Sequence, residues 1–324
     1  MANKINKVFG TGGIGTGIFF KLHDDKTMTR SESRPGILTD YRDYCKAHII
    51  LHYIAEFTKS FAKSAEVKVF AVGMVGQDEA GESLKREMHE AKIDTRFVGV
   101  TDKKRTMYSV CFQYPDGTGG NITASNSACD LVTPEYIEEC SKEIDENSLI
   151  LAAPEVPLSS RMKLLENGKK RGAFTVSSFL VEEADAFKNA GGFILSDLIS
   201  INTDEAEAVG GNISLTPKII SDENPAVKLI ITAGADGSYI YENGNMTIIP
   251  CIKEKEIVST AGAGDAYLGG TVAALIRGAD FKSAAEYGAV AARFAVMSAD
   301  TIAKEATLEN VEKYMKLNHI KTGG

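Results

Sequence analysis

Short apolar runs alternate with amphipathic stretches along most of this chain. The runs are rich in β-branched and aromatic residues and indicate strands, whereas the stretches between them space their apolar residues at helical intervals. Strands that are apolar on both faces and interleaved with helices predict a mostly parallel sheet covered on both sides. The predicted strands cover residues 7–10, 67–76, 148–154, 172–178, 193–202 and 227–234, and the clearest helices cover 79–91, 159–171 and 204–209.

Two regions depart from this alternation. Residues 16–38 are polar and irregular. Residues 96–124 alternate apolar and polar positions over RFVGVT and TMYSVCFQY and end in a PDGTGG turn, a pattern that predicts antiparallel strands. We therefore expect these two segments to form a small β-lid over one end of the larger sheet, within a single α/β domain that covers residues 1–324.

Composition and charge narrow the class of partner. The chain has 324 residues, of which 44% are hydrophobic and 25% charged, as is typical of a globular protein with a substantial core. Its net charge of −8 comes from 36 basic and 44 acidic residues without long blocks of one sign, which argues against nucleic acid or an anionic membrane as partner. No apolar run reaches the length of a signal peptide or a membrane span, and the cysteines form no C-x-x-C pair. These features favour a cytoplasmic protein that binds a small molecule.

Glycine-bearing loops at predicted strand ends are the candidate sites, because open α/β sheets bind ligands there. The first loop, GTGGIG, places Gly10, Gly12 and Gly15 in the G-x-G-x-x-G pattern of dinucleotide-binding proteins. The segment that follows loses helical periodicity after Leu22 and offers only Glu32 near the position of the expected acidic ribose ligand. A dinucleotide-dependent oxidoreductase is therefore one functional hypothesis.

The most informative loop is VSTAGAGDAYLGG. Gly262, Ala263 and Gly264 precede Asp265 and an apolar helix, so a nearly bare backbone lies at a predicted helix N-terminus. The unpaired N–H groups and the positive end of the helix dipole at such a terminus suit a phosphate group. Asp265 then has two interpretations. It is either a helix cap or a general base that takes the proton of a hydroxyl group during phosphoryl transfer.

These motifs together resemble those of the ribokinase-like, or pfkB, carbohydrate kinases. TAGAGDAYLGG at 260–270 is similar to the C-terminal signature of the family, and VGMVGQDEAGESLKREMHEAKIDTRFV at 72–98 resembles its G-x-x-G-x-D-x-x-G segment. The resemblance covers about residues 5–300. It implies a ribokinase-like three-layer sandwich with a mostly parallel central sheet and a small β-lid.

The resemblance also implies a function and roles for individual residues. The chain would be a kinase that transfers the γ-phosphoryl group of ATP to a hydroxyl of a sugar or sugar-like small molecule. Asp265 would take the hydroxyl proton, and the backbone N–H groups of residues 262–264 would hold the phosphoryl oxygens. Asn202 and Glu205 of INTDEAEAV match the family's N-x-x-E motif and would position hydrated Mg²⁺ through water. The nucleotide would be flanked by the residues of ITAGADG that match T-x-G-x-x-G, namely Thr232, Gly234 and Gly237.

The acceptor end departs from the family pattern. The Asp that usually follows the first strand is missing from residues 15–18, and the usual Gly-Gly and Asn segment is replaced by RPGILTDYRDYCKAH. We therefore expect a kinase with an altered acceptor, in which Arg105 of the lid would meet the acceptor if that is already phosphorylated. A nucleotide-binding protein without turnover is the second hypothesis, and a monovalent-cation requirement and a homodimer both stay open. The charged residues that could replace the missing Asp are Asp24, Asp25, Asp40, Arg42 and Asp43.

Overall fold

The computed structural model describes residues 5–59, 67–254 and 256–320, in which thirteen strands and ten α-helices are joined by loops and three short 3₁₀ helices. The strands are β1 (Lys7–Thr11), β2 (Gly15–Leu22), β3 (Gly36–Tyr44), β4 (Lys68–Gly76), β5 (Ile93–Thr101), β6 (Met107–Gln113), β7 (Gly119–Thr123), β8 (Ser148–Ala152), β9 (Phe174–Ser177), β10 (Leu198–Asn202), β11 (Lys228–Thr232), β12 (Ser238–Glu242) and β13 (Asn245–Ile249). The helices are α1 (Lys46–Thr58), α2 (Glu79–Glu90), α3 (Pro134–Ser141), α4 (Leu158–Lys170), α5 (Ala184–Asn189), α6 (Thr203–Gly210), α7 (Thr216–Glu223), α8 (Ala263–Ile276), α9 (Phe281–Val296) and α10 (Leu308–Leu317).

The strands form two sheets. The larger sheet has the order β13-β12-β11-β10-β9-β8-β1-β4-β5 and the smaller has the order β3-β2-β6-β7. In the larger sheet every neighbouring pair from β11 to β5 is parallel, whereas the β11–β12 and β12–β13 pairs at one edge are antiparallel. The mostly parallel sheet predicted from the apolar runs is therefore confirmed.

Helices cover both faces of the larger sheet, because successive side chains of its strands point to opposite sides. In β8, Leu149 and Leu151 pack in a cluster with α1, α2, α8 and α9, whereas Ile150 and Ala152 pack in a second cluster with α3 to α7. All four residues are completely buried. Burial of both strand faces explains why these strands are apolar at every position, and it confirms the three-layer arrangement.

The predicted strand over residues 193–202 is too long. Only Leu198–Asn202 is a strand, because residues 191–196 form a turn in which the Ser196 hydroxyl donates to the Gly192 carbonyl O at 2.7 Å. Phe193 is nevertheless fully buried in the cluster that contains α5. The apolar run over residues 193–202 thus predicts burial correctly, but it is longer than the strand.

The boundaries of the two predicted lid segments differ from the smaller sheet. Segment 16–38 supplies β2, but β3 extends beyond it to Tyr44. Segment 96–124 supplies β6 and β7, but its first strand, RFVGVT, belongs to β5 and pairs with β4 in the larger sheet. As an edge strand β5 is only partly buried, so it alternates apolar and polar residues like a strand of a half-exposed antiparallel sheet.

None of the helices within the described ranges has the length and apolar content needed to span a bilayer.

Candidate active site

A cavity of about 270 Å³ lies between the smaller sheet and the loops that follow the parallel strands. Asp43 of β3 and Ser109 of β6 belong to the wall formed by the smaller sheet. Lys46 at the start of α1, Glu155 after β8 and Asp265 of α8 also line the cavity. The volume is close to the lower end of the range of about 300–1,000 Å³ for small-molecule sites. The cavity therefore has the size and position for one small ligand.

The N-terminus of α8 contains two glycines that the fold treats differently. Gly262 is the N-cap with φ 77°, and an added Cβ would lie 2.5 Å from the carbonyl O of Thr301, so the fold itself requires glycine here. Gly264 is not in the left-handed region, and an added Cβ would meet no atom within 4 Å. The space beside Gly264 is therefore open to a ligand. Of the three predicted phosphate donors, the N–H of Ala263 bonds to the Thr260 carbonyl O at 3.3 Å.

Asp265 lies in the first turn of α8, where an acidic side chain suits the helix dipole, but the N-cap is Gly262 and no side chain caps this helix. Its side chain is 15% exposed, and Oδ1 lies 3.8 Å from Nζ of Lys46. Burial raises the pKa of the Asp265 carboxyl above its usual range, and the Lys46 ammonium offsets part of that effect. A buried carboxylate with a raised pKa at the edge of a cavity is well suited to accept a proton from a ligand.

Sequence reasoning missed Lys46 and Glu155. The Asp265 carboxylate raises the pKa of the Lys46 ammonium, which keeps it charged, and the Lys46 backbone N–H donates to Oε2 of Glu155 at 3.2 Å. Burial raises the pKa of Glu155 to about 7, and its backbone has φ 74°, a strained value for a non-glycine residue. One signal was available, since Glu155 is the first charged residue after the fully buried β8, at the ligand-binding edge of the sheet.

Asn202 and Glu205 form a reciprocal cap at the start of α6. The Glu205 N–H donates to Oδ1 of Asn202 and the Asn202 N–H donates to Oε2 of Glu205, each at 2.8 Å. Glu205 is only 6% exposed, and burial raises the pKa of its carboxyl, while the charge of Lys46 lowers it. The described residues contain no group of three or more His, Cys, Asp or Glu side chains arranged to hold a metal directly. A site that holds Mg²⁺ through water, with few protein ligands, fits this donor set.

The predicted nucleotide residues lie at the next strand end. Thr232 ends β11 and pairs in register with Asn202 of β10. Gly237 has φ 91°, and an added Cβ would lie 2.7 Å from the backbone N of Cys251, so the turn into β12 requires glycine there. An added Cβ at Gly234, which has φ 54°, would meet nothing within 4 Å. None of these residues lines the cavity; Thr232 lies beside Asn202 of the candidate magnesium pair, and the two glycines follow in the turn after β11.

Comparison with known proteins decides the family. Residues 60–308 match the pfkB family of carbohydrate kinases. The chain belongs to this family. The ribokinase of Haemophilus influenzae is 25% identical over 248 residues, which cover 71% of this chain and 75% of that protein. The Giardia lamblia ribokinase structure superposes with a TM-score of 0.82 at 16% identity, and the match covers 96% of this chain and 99% of that one. The Burkholderia thailandensis nucleoside kinase in complex with inosine superposes with a TM-score of 0.78 at 16% identity, and the match covers 98% of this chain and 100% of that one.

Membership of the pfkB family makes the chain a phosphotransferase whose acceptor is a hydroxyl group, and the ribokinase-like fold is confirmed by the structural neighbours. The oxidoreductase hypothesis is wrong. A dinucleotide fingerprint needs a helix directly after the first strand. Here the chain passes from β1 through Gly12 straight into β2, and an added Cβ at Gly10 would lie 2.6 Å from Leu51 of α1, so close packing accounts for that glycine.

The structure separates the candidates for the acceptor end of this pfkB kinase. Arg105 is exposed and does not line the cavity, so the geometry gives no support to its predicted contact with a phosphorylated acceptor. Arg42 pairs with Glu87 at 2.6 Å. Only Asp43 among the five proposed replacements lines the cavity, whereas the other three carboxylates are exposed on the surface, namely Asp24, Asp25 and Asp40.

Proposed function

We propose that this pfkB kinase transfers the γ-phosphoryl group of ATP to a hydroxyl of a sugar or sugar-like small molecule, with Asp265 as the general base. The observation that carries the proposal is the position of Asp265. Its buried carboxylate lines a cavity of small-molecule size and stands one residue after Gly264, at the N-terminus of α8, where the backbone is bare. Proton acceptor and anion-binding backbone are thus within one helical turn.

The proton and the charges follow from these positions. The acceptor hydroxyl gives its proton to the Asp265 carboxylate as the oxygen attacks the γ-phosphorus, and the bond from phosphorus to the bridging oxygen of ADP breaks. Backbone N–H groups of residues 262–264 hold the phosphoryl oxygens in this proposal, and the Ala263 N–H would exchange its 3.3 Å bond to the Thr260 carbonyl O for one to the phosphoryl group. The Lys46 ammonium, 3.8 Å from Asp265, favours the ionised carboxylate that accepts the proton and offsets part of the effect of burial on its pKa.

The nucleotide and its metal would bind at the neighbouring strand ends. We propose that Asn202 and Glu205 position hydrated Mg²⁺ through water, and that Mg²⁺ when bound neutralises phosphate charge. The reciprocal cap fixes both side chains. It uses Oδ1 of Asn202 and Oε2 of Glu205, so Nδ2 of Asn202 and Oε1 of Glu205 take no part in it. The nucleotide is proposed to lie against the turn after β11, along Thr232, Gly234 and Gly237.

We propose further that the chain is one ribokinase-like domain, that the smaller sheet acts as its lid, and that two copies pair through that sheet. The dimer is supported by apolar side chains on the sheet face opposite the cavity, of which Leu38 is 59% and Ile122 74% exposed, with Tyr108 and Val110 between them at 42% and 40%. Exposed apolar patches of this kind mark association surfaces. Light scattering is expected to give a dimer mass for the wild type and a monomer mass for Val110→Lys, and a monomeric wild type would contradict the proposal.

The kinase is tested by coupled ADP release with Mg-ATP. The acceptors offered are D-ribose, 2-deoxy-D-ribose, D-fructose, xylitol, inosine and D-fructose 6-phosphate, and Asp265→Asn is run beside the wild type. Turnover with one acceptor class that disappears in the variant supports the proposal. Binding of Mg-ATP, seen as a rise in melting temperature, without turnover for any acceptor would instead favour the nucleotide-binding protein that has lost its activity.

A further inference from the structure

Three glycines near the start of β2 make room for side chains from elsewhere in the chain. Gly13, Gly15 and Gly17 fall on alternate positions, so they face the same side of the extended backbone. An added Cβ on each would collide with a different side chain. The Cβ at Gly13 would meet Glu155. The Cβ at Gly15 would lie 2.8 Å from Sγ of Cys45, and the Cβ at Gly17 would lie 2.6 Å from Oδ2 of Asp43.

Asp43 occupies the space above Gly17 from the neighbouring strand β3. It is 8% exposed and lines the cavity. Its Oδ2 accepts hydrogen bonds from the hydroxyl of Ser109 and from Sγ of Cys111 at 3.3 Å, both on β6. A carboxylate can accept about four hydrogen bonds, and a thiol is a weak donor. Both side-chain bonds end on Oδ2, so no described side chain donates to Oδ1.

No basic side chain pairs with Asp43 within the described residues, so its burial is not compensated by an ion pair. Lys46, the basic residue that lines the cavity, is paired with Asp265. A third carboxylate, Glu155, also faces the cavity. The described residues of the cavity therefore offer no unpaired cation to an anionic acceptor, whereas hydroxyl groups would supply the donors that Asp43 lacks.

We propose that Asp43 binds the acceptor through hydroxyl donors to Oδ1, and that the acceptor is an uncharged polyhydroxylated molecule. Ser109 holds Oδ2, and Gly17 leaves the space in which the carboxylate sits. Asp43 thereby determines specificity from β3, and Gly17 is a positioning residue that acts through it. This inference rests on the proposed kinase function, because it concerns the acceptor of that reaction.

The test uses the full chain, the same acceptor panel and four variants, namely Asp43→Ala, Asp43→Asn, Gly17→Ala and Asp40→Asn. Asp43→Ala removes the carboxylate, whereas Gly17→Ala keeps it but adds a methyl group that displaces the Asp43 carboxylate and the Ser109 hydroxyl. Asp40→Asn is the matched control, because Asp40 is on the same strand and exposed. We expect Asp43→Ala to lower kcat/KM for the acceptor by about 10- to 100-fold, as the loss of a hydrogen bond to a charged group does. If Asp43 contacts only the acceptor, the KM of Asp43→Ala for Mg-ATP should stay within about twofold of wild type. The rise in melting temperature that Mg-ATP causes should also stay within about twofold of the rise in wild type.

The outcomes separate this inference from the proposed function. Support requires that Asp43→Ala and Gly17→Ala both raise the acceptor KM, that Asp43→Asn recovers part of the loss, and that Asp40→Asn behaves as wild type. Unchanged acceptor kinetics in Asp43→Ala would overturn the role of Asp43 while the kinase remains. Turnover of D-fructose 6-phosphate in preference to every neutral acceptor would overturn the substrate class alone. Absence of turnover with any acceptor would remove the kinase, and this inference with it.

Discussion

Replacement of Asp265 by Asn is the most direct test of the proposed chemistry. The substitution keeps the shape of the side chain and removes its ability to take a proton. A positioned general base contributes about 10²- to 10⁴-fold to the rate. At about 1.36 kcal/mol for each factor of ten, the activation barrier of the variant should rise by about 3–5 kcal/mol.

The same substitution should leave folding nearly unchanged. Gly262 and not Asp265 is the N-cap of α8, so no cap is lost. Burial raises the pKa of Asp265, which means that the fold disfavours its ionised form despite the nearby Lys46. Loss of the charge therefore removes a burial cost together with an ion pair, and the Lys46 side chain, 35% exposed, can be solvated by water. We expect the free energy of unfolding to change by less than about 1 kcal/mol.

The assay is ADP release at saturating Mg-ATP and acceptor, measured beside thermal unfolding. Asp280→Ala is the reciprocal control, because Asp280 caps α9 by accepting from the Ser283 N–H at 2.9 Å. That variant should lose about 1 kcal/mol of stability and keep its kcat. If Asp265→Asn retained more than a tenth of the wild-type kcat, the assignment of Asp265 as general base would be refuted. A large fall in its melting temperature would show that the residue is structural.

Two further predictions concern the glycines of α8 and the buried Glu155. Gly262→Ala should lower stability by about 1–2 kcal/mol, since alanine is strained at φ 77°. Gly264→Ala should fold at least as stably as wild type, but it should lose kcat because its methyl group would enter the proposed phosphate site. Unfolding curves and ADP release would check both, and full activity in Gly264→Ala would contradict the phosphate site. The pKa of Glu155 rises from 4.5 to about 7 in the fold, so the wild type loses stability as pH rises across that window. The melting temperature of Glu155→Gln relative to wild type should therefore rise between pH 4.5 and 7, and a constant difference would show that Glu155 does not titrate there.

The large sheet and the bare backbone at the start of α8 could be predicted because their signals are local. In β8 every position of SLILA is buried, so the apolar run itself reports a strand covered on both faces. Gly262 to Asp265 are consecutive, so bare backbone and carboxylate are evident without tertiary structure. The errors occurred where the local signal had two meanings. Phe193 is buried in a turn, and RFVGVT alternates because it lies at a sheet edge.

The acceptor end could not be predicted in this way, because its contacts join distant parts of the chain. Asp43 bonds to Ser109 across 66 positions, and Lys46 meets Glu155 across 109. The sequence therefore offered Asp43 only as one of five charged residues in a polar segment. Its burial follows from the register in which β3 and β6 flank β2, with Gly17 opposite both Asp43 and Ser109. A pattern along one strand carries no information about such a register.

Gly262 and Gly264 show what a structure adds even where the sequence is clear. Both belong to the same short motif and both suggested a bare phosphate-binding surface. The fold alone accounts for Gly262, through its backbone angle and the approach of Thr301. Nothing in the fold accounts for Gly264, since a methyl group there would contact no described atom. A glycine lowers helix stability by roughly 0.5–1 kcal/mol relative to alanine, so its presence in the first turn of α8 is best explained by a ligand that needs the space.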